Sequence, residues 1–114
     1  MKILMPARLI NLEDLQPTDT LRESSQSYLQ TLTYEEIEKR HGLPQVWKTD
    51  IGLLISDGNQ RAADAYKKGL KEIRVDFQTD DIPDYFLDYL NLVISEAELL
   101  RKQGIHSPKD LWQA

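Results

Sequence analysis

Short apolar stretches are separated by polar turn residues along the chain, and their spacing alternates between the periods of strands and helices. Residues 53–56 form an apolar run that is typical of a buried strand, whereas residues 73–77 alternate apolar and charged side chains, as in a half-buried strand. Between them, Asn59 is a suitable N-cap for a helix over about 60–68, which Gly69 would end. The pattern predicts a strand, a glycine turn, a short helix and a second strand.

The rest of the chain shows the same two periods. Capping-box spacing of Thr20 with Glu23, and of Thr33 with Glu36, predicts two helix starts. Pro44 cannot donate to a ladder, so the strand that contains it is predicted to lie at a sheet edge. The further predicted elements are a strand at 7–12, a helical turn at 11–15, helices at 21–32 and 34–41, a strand at 43–48, a long helix capped at 79–81 and ended by Gly104, and a helical turn at 107–112.

These elements predict an α+β fold in a single domain over residues 1–114. The two central strands would form a hairpin, and the helix after the glycine turn would cross over to the last strand. The result would be a small mixed sheet with packed helices. The predicted core spans 7–78, and residues 81–114 form a C-terminal helical extension.

The composition limits the classes of function. The chain has 114 residues, enough for one domain with a core, and no cysteine, which excludes a thiol nucleophile, a disulfide and a cysteine-ligated metal. The net charge of −5 argues against binding to duplex DNA, since neutralising phosphates requires a basic face. No apolar run approaches the roughly 20 residues that span a bilayer, and the apolar start is too short for a signal peptide. We therefore expect no membrane association and a cytoplasmic location.

The turn at Gly58 is the strongest candidate for chemistry. Glycine lets the backbone approach a ligand, the first N–H groups of a helix have no internal partner, and Arg61 lies one turn in. Free N–H groups and a guanidinium at a helix start favour an anion, most naturally phosphate. The alternative is structural, because turns of this kind usually only reverse the chain. Asp57 likewise has two interpretations, as a Mg²⁺ ligand or as a turn cap.

Three segments resemble the ParB/sulfiredoxin-like superfamily, which includes the ParB-like nuclease domains, over about residues 7–78. Residues 10–17 (INLEDLQP) are similar to the opening strand and Leu-x-Pro turn of the family, and residues 43–46 (LPQV) to the strand that opens its hairpin. The most specific segment is LISDGNQRAA at 54–63 followed by GLKEIRV at 69–75, which resembles the D-G-x-x-R turn and G-x-x-x-I-x-V strand of the family.

Relatives hold nucleotide phosphates at this turn: ParB proteins bind CTP, sulfiredoxin binds ATP, and a kinase of free serine uses an adenine nucleotide. The resemblance therefore implies that Gly58 and Arg61 contact phosphate, together with the backbone N–H groups of Asn59 and Gln60. It also implies a nucleotide ligand such as CTP, ATP or ADP. Asp57, as a carboxylate at the end of a strand, is the residue we expect to hold a Mg²⁺ ion or a ligand hydroxyl if it is not only a turn cap.

The chain departs from this family where relatives have reactive side chains. Sulfiredoxin has its catalytic cysteine and a histidine at the positions of Asn59 and Gln60, and the serine kinases have histidines there. Without a thiolate, sulfinic acid repair is excluded. General base catalysis would fall to a carboxylate, for which Asp57 is the nearest candidate and Glu23 a distant one. We also expect no centromere binding, because 114 residues leave no room for the additional domains of chromosome-partitioning ParB proteins.

Three functions remain open. The leading hypothesis is a domain that binds a nucleotide or another phosphorylated small molecule at the turn, with slow phosphotransfer or nucleotide hydrolysis as a further step. The second is a non-catalytic module that binds a protein partner and uses the turn only structurally. The third is a nuclease, which the family label suggests and which the acidic charge and the lack of a metal-ligand cluster in the sequence disfavour.

Overall fold

Five strands form one mixed sheet in the computed structural model, which describes residues 7–78 and 84–113. The strands are β1 (Arg8–Asn11), β2 (Leu15–Gln16), β3 (Gln45–Thr49), β4 (Gly52–Asp57) and β5 (Glu72–Gln78). The α-helices of the described residues are α1 (Glu23–Leu29), α2 (Tyr34–His41), α3 (Asn59–Lys67), α4 (Asp84–Lys102) and α5 (Pro108–Leu111). The predicted α+β class with a mixed sheet and packed helices is confirmed, while the predicted cap at 79–81 lies outside the described residues.

The strands lie in the order β1-β5-β3-β4-β2. β3 and β4 form the predicted antiparallel hairpin, with Val46 opposite Ile55 and Trp47 opposite Leu54. β5 is parallel to β3 and antiparallel to β1, and α3 crosses from β4 to β5 as predicted. β2, parallel to β4, was not predicted, because two residues are too few to show a period.

The prediction that the strand containing Pro44 lies at an edge is wrong, since β3 occupies the middle of the sheet. Pro44 precedes the first residue of β3, so its missing N–H removes no bond from the strand. Its carbonyl oxygen accepts a hydrogen bond from the Asp76 N–H (2.9 Å) and begins the pairing with β5. A proline just before a strand is therefore compatible with a central position.

Helix α3 covers one face of the sheet. Successive strand residues point to opposite faces, so Val46 and Ile55 lie together beneath this helix. The buried core on this face consists of Leu12, Leu15, Val46, Ile55, Ala62, Ala65, Ile73 and Val75. The small side chains of Ala62 and Ala65 let α3 approach the sheet closely. The start of α3 therefore packs against β4.

Helix α4 packs against the opposite face. Leu54 of β4 packs with Val93 and Ala97, and the Phe86 ring stacks on Trp47 with centroids 5.2 Å apart. The predicted C-terminal helical extension is therefore part of the packed fold. Its long helix α4 ends at Lys102, two residues before Gly104, which has a φ of +87°. No helix of the described ranges combines the length and apolar content needed to cross a bilayer.

Of the two predicted capping boxes, only the second forms. Thr33 and Glu36 exchange both hydrogen bonds, and the bond from the Thr33 backbone N–H holds the pKa of Glu36 below its ordinary value. The predicted box of Thr20 with Glu23 is wrong, because α1 begins only at Glu23 with Arg22 as its N-cap residue. The segment 18–22 before it is irregular, with a bend at Asp19, and it makes hydrogen bonds to α3.

Candidate functional site

A cleft of about 530 Å³ opens over the N-terminus of α3. One wall is the segment 18–22 that leads into α1, the floor is the turn at 56–61, and the other wall is the middle of α4. The residues that line it are Thr18, Asp19, Arg22, Ser56, Asp57, Gly58, Asn59, Gln60, Arg61, Tyr89, Leu92, Val93 and Glu96. Every predicted site residue except Glu23 is therefore brought together in one cleft.

Gly58 is required at the turn by packing. Its φ is +105°, and a Cβ added there would lie 2.8 Å from the Cβ and 2.9 Å from the Cα of Pro44. Such distances do not occur between real atoms of this kind without a shift of the backbone. The sequence suggested that a ligand would approach the backbone closely at Gly58. In the structure Pro44 of the chain itself makes this close approach.

The backbone N–H groups at the start of α3 lie at the floor of the cleft. The prediction of Asn59 as N-cap is wrong, since Gly58 is the N-cap and Asn59 is the first helical residue. No side chain of residues 7–78 or 84–113 caps this helix, and its first internal hydrogen bond runs from the Ala62 N–H to the Gly58 oxygen (3.0 Å). The N–H groups of residues 59–61 therefore have no partner within the helix.

Arg61 is held by the protein before any ligand arrives. The residue is 9% exposed, and its Nη1 donates to the carbonyl oxygens of His41 and Gly42, the latter at 3.0 Å. Its Nη2 donates to Asp57 Oδ2 at 3.2 Å. A guanidinium has five N–H donors, so two of them stay available for a ligand after these bonds are made. Arg61 thus closes the end of α2 and still presents donors beside the cleft.

Asp57 lies at the mouth of the cleft, where its side chain is 69% exposed despite the ion pair with Arg61. It also borders a second, smaller cleft of about 370 Å³ that shares Gln60 and Arg61 with the first. In this second cleft the His41 Nε2 lies 3.1 Å from the Tyr28 hydroxyl. An exposed carboxylate that is paired at only one oxygen can turn toward a metal ion or a ligand.

The Asn59 side chain points at the first wall and is committed to it. Its Oδ1 accepts a hydrogen bond from the Thr18 N–H (2.8 Å), and its Nδ2 donates to the Thr18 hydroxyl (3.0 Å). Both groups are buried. Asn59 therefore fastens the segment 18–22 to the start of α3.

Gln60 makes a second attachment of the same kind. Its Oε1 accepts from the Arg22 N–H (2.9 Å), and its Nε2 donates to the Thr20 carbonyl oxygen (2.7 Å). Gln26 of α1 donates to both the backbone and the side-chain oxygen of Gln60. The amides of Asn59 and Gln60 thus hold the wall of the cleft.

Glu23, the distant candidate for a general base, is not brought to the cleft. It is exposed in the first turn of α1 and does not line either of the two clefts around Arg61. Asp57 is the predicted carboxylate that lies beside the uncapped end of α3.

Several lining residues were not predicted as site residues. Arg22 pairs with Asp19 across 2.9 Å on the first wall, and Glu96 and Tyr89 face the cleft from α4. The i,i+3 spacing of Asp19 and Arg22 was a readable signal for an ion pair. Nothing in the sequence indicated that α4 would face the turn. The apolar period of a helix shows which of its sides is buried, but it does not show which element lies next to that side.

The charges of the lining favour a ligand that carries its own cation. Two guanidinium groups, Arg22 and Arg61, are each paired with a carboxylate, and Glu96 adds a third acid without an ion pair to any described residue. No group of three acidic or histidine side chains able to hold a metal occurs in the described ranges. Mg²⁺ that is bound to phosphates usually needs only one or two protein carboxylates, and the carboxylates that line this cleft are Asp19, Asp57 and Glu96.

A scan of the chain against protein-family models finds no match, and a comparison with curated protein sequences finds no significant relative. The resemblance to the ParB/sulfiredoxin-like superfamily therefore remains a prediction from the motifs at 10–17, 43–46 and 54–75.

Proposed function

We propose that the chain is a ParB/sulfiredoxin-like domain that binds the phosphate groups of a nucleotide in the cleft over α3. The observation that carries the proposal is the uncapped N-terminus of α3 at the floor of that cleft. Free helical N–H groups and the positive end of the helix dipole favour an anion there. A volume of about 530 Å³ is within the range of small-molecule sites.

The ligand enters as a Mg²⁺ complex in this proposal. Free triphosphate would meet three carboxylates on the lining, Asp19, Asp57 and Glu96, which repel it. A bound Mg²⁺ reverses the sign of that interaction, because the acids then attract the ion while the N–H groups of α3 contact the phosphates. Asp19 and Asp57 would help to hold the ion, and Arg22 and Arg61 would offer charge-assisted hydrogen bonds to the phosphates.

The apolar side of α4 supplies the surface for the base. Tyr89 and Leu92 line the cleft opposite the charged wall, and both are partly exposed. An aromatic face stacks on any nucleobase, so this contact accepts CTP, ATP and ADP alike. Thermal unfolding with each nucleotide would show which of them the cleft prefers.

The side chains of the floor favour binding over rapid catalysis. Asn59 and Gln60 use both ends of their amides to hold the segment 18–22, and an amide does not take up a proton near neutral pH. If the ligand is turned over, Asp57 is the base or metal ligand that lies beside the phosphates, and phosphotransfer or hydrolysis is slow.

Thermal unfolding with CTP, ATP, ADP and GTP, each with and without Mg²⁺, tests the proposal. A ligand at 100 times its dissociation constant stabilises the folded state by about 2.7 kcal/mol, which raises the unfolding temperature by roughly 10 °C for a domain of this size. The stabilisation should increase with nucleotide concentration and require Mg²⁺. Amide NMR shifts that concentrate at residues 58–61 would identify the site.

Arg22→Gln is the site variant, and Arg40→Gln is its matched control. Both arginines are exposed, and each pairs with an acid three or four residues before it. Arg22 pairs with Asp19 on the wall of the cleft, whereas Arg40 pairs with Glu36 on α2, away from the cleft. The nucleotide-induced shift should fall in Arg22→Gln and persist in Arg40→Gln. Absence of a shift with every nucleotide, or an equal shift in the two variants, would refute a phosphate site.

The alternative function, a module that binds a protein partner, is favoured by a separate observation, the exposed apolar side chains of Tyr85, Leu92 and Leu99 on α4. A nuclease has no comparable support among the described residues, since they contain no cluster that could hold a catalytic metal without a bound phosphate.

A further inference from the structure

Helix α4 carries a stripe of large apolar and aromatic side chains that the other described residues cover only in part. The stripe consists of Tyr85 (85% exposed), Tyr89 (43%), Leu92 (57%) and Leu99 (52%), with Glu96 between the last two. Large side chains exposed side by side leave several hundred Å² of apolar surface, the size at which a surface patch is often functional.

The spacing of this stripe is that of a helix-packing seam. Its members follow one another at intervals of four, three, four and three residues, so they share one narrow face of the helix. The face extends over about 21 Å along the axis. It lies beside the buried stripe of Leu90, Val93, Ala97 and Leu100, which already packs on the fold. A second helix could therefore pack along α4 without displacing any core residue.

On α4 itself, the charged side chains that border or interrupt the stripe are acidic, namely Asp84, Asp88 and Glu96. Glu98 lies on another face, that of Leu87. Arg22 of the segment 18–22 lines the same cleft as Leu92 and Glu96, but it is paired with Asp19. The cations Arg101 and Lys102 occur only at the end of α4, and Arg101 donates a hydrogen bond to the Ile51 carbonyl oxygen. An incoming helix with positive charges beside its apolar face would match this arrangement.

We propose that the stripe on α4 is a docking site for a basic amphipathic helix of a partner protein. The apolar side chains of that helix would contact Tyr85, Leu92 and Leu99, and a lysine or arginine would lie opposite Glu96. Helix-in-groove recognition of this type uses anchors at three- and four-residue spacing, which is the spacing that α4 presents. A charged residue within an apolar seam selects a partner of opposite charge.

A second copy of the chain fits this surface less well. In an antiparallel pair centred on Leu92, Glu96 of one copy would lie near Asp88 of the other, and in a parallel pair each acid would face itself. Like charges in such positions are destabilising. A single helical stripe is also smaller than the roughly 800 Å² per partner that a stable interface buries, which fits a transient partner.

The docking site overlaps the cleft but can be tested apart from it. Tyr89, Leu92 and Glu96 belong to both surfaces, whereas Leu99 lies only on the stripe. Leu87, also exposed (42%), lies on a different face of the same helix. Leu99→Asp and Leu87→Asp are therefore the same change in the same helix, on and off the proposed docking surface.

The probes are two fluorescein-labelled synthetic helices with the same leucine seam, one flanked by lysines and one by glutamates. Fluorescence anisotropy with the full chain should show binding of the lysine helix. Leu99→Asp should weaken this binding at least about tenfold, as expected for the loss of an apolar anchor. Leu87→Asp should leave it within about twofold, the scatter for a residue outside an interface. Glu96→Lys should transfer the preference to the glutamate helix.

Three results would overturn the proposal. Equal binding by all variants would mean non-specific attraction between opposite charges, and failure of the lysine helix to bind would remove the site. Sedimentation that shows self-association, abolished by Leu99→Asp, would make a second copy the occupant. The nucleotide-induced thermal shift, measured in Leu99→Asp as well, separates a failure of this proposal from a failure of the nucleotide site.

Discussion

Replacement of Gly58 by alanine tests whether packing alone requires a glycine at the turn. The φ of +105° strains an alanine by roughly 1–2 kcal/mol. The new Cβ would also lie 2.8 Å from the Cβ of Pro44, and Pro44 is buried at the start of the central strand. Overpacking against such a neighbour costs about 1–3 kcal/mol. Together these effects should lower the free energy of unfolding by about 3 kcal/mol.

Gly69→Ala is the matched control for this prediction. Gly69 ends α3 with a φ of +89°, and an added Cβ there meets no atom within 4 Å. Only the backbone strain of roughly 1–2 kcal/mol applies, so the difference between the variants isolates the contact with Pro44. Urea unfolding followed by circular dichroism measures both losses, with no ligand present and with m unchanged. Equal losses in the free energy of unfolding would refute the steric argument. The glycine at position 58 would then be better explained by the close approach of a ligand.

Three further predictions concern polar side chains. The Tyr34 hydroxyl is buried without a hydrogen-bond partner among the described residues, and burial raises the pKa of Tyr34 to about 12. The stability that comes from the protonated phenol is therefore complete below pH 10 and declines as the pH rises from 10 toward 12. Tyr34→Phe should abolish that decline and raise the free energy of unfolding at neutral pH by up to about 1 kcal/mol. Urea unfolding at pH 8 and pH 11 measures this. A variant that is less stable than the original chain at both pH values would contradict the prediction. Lys68→Met leaves the buried Asp64 carboxylate without its cation and should cost about 2 kcal/mol, whereas a loss below about 0.5 kcal/mol would mean that solvent replaces the lysine. Gln60→Ala removes the acceptor of the Arg22 N–H, so hydrogen exchange of that amide should accelerate about tenfold, and an unchanged rate would show that Gln60 does not hold the wall.

Features of the fold that depend on a few neighbouring residues could be predicted from the sequence. The capping box at Thr33 and the helix end at Gly69 follow from backbone groups that must be satisfied within one turn. The hairpin of β3 and β4 follows from two apolar runs separated by a short polar connection. The floor of the cleft was found for the same reason, because Asp57 to Arg61 form one continuous turn.

Features that depend on contacts between distant segments could not be predicted. Asn59 has the side chain of a good N-cap, yet it bonds to Thr18, which is 41 residues earlier in the chain. Pro44 looked like an edge residue because its pairing with Asp76 of β5 is invisible in the local pattern. The α4 wall of the cleft was missed likewise, since the period of a helix identifies its buried side but not the loop that faces the adjoining side.

The attachment of the segment 18–22 to α3 has a consequence for the energetics of binding. Asn59 and Gln60 make their hydrogen bonds to Thr18, Thr20 and Arg22 in the absence of any ligand, so that wall is ordered beforehand. Ordering a loop at the moment of binding costs affinity, and a preorganised wall avoids this loss. More of the interaction energy of any ligand in the cleft is then available for affinity. Asn59 and Gln60 thus provide a cleft that is already shaped before binding.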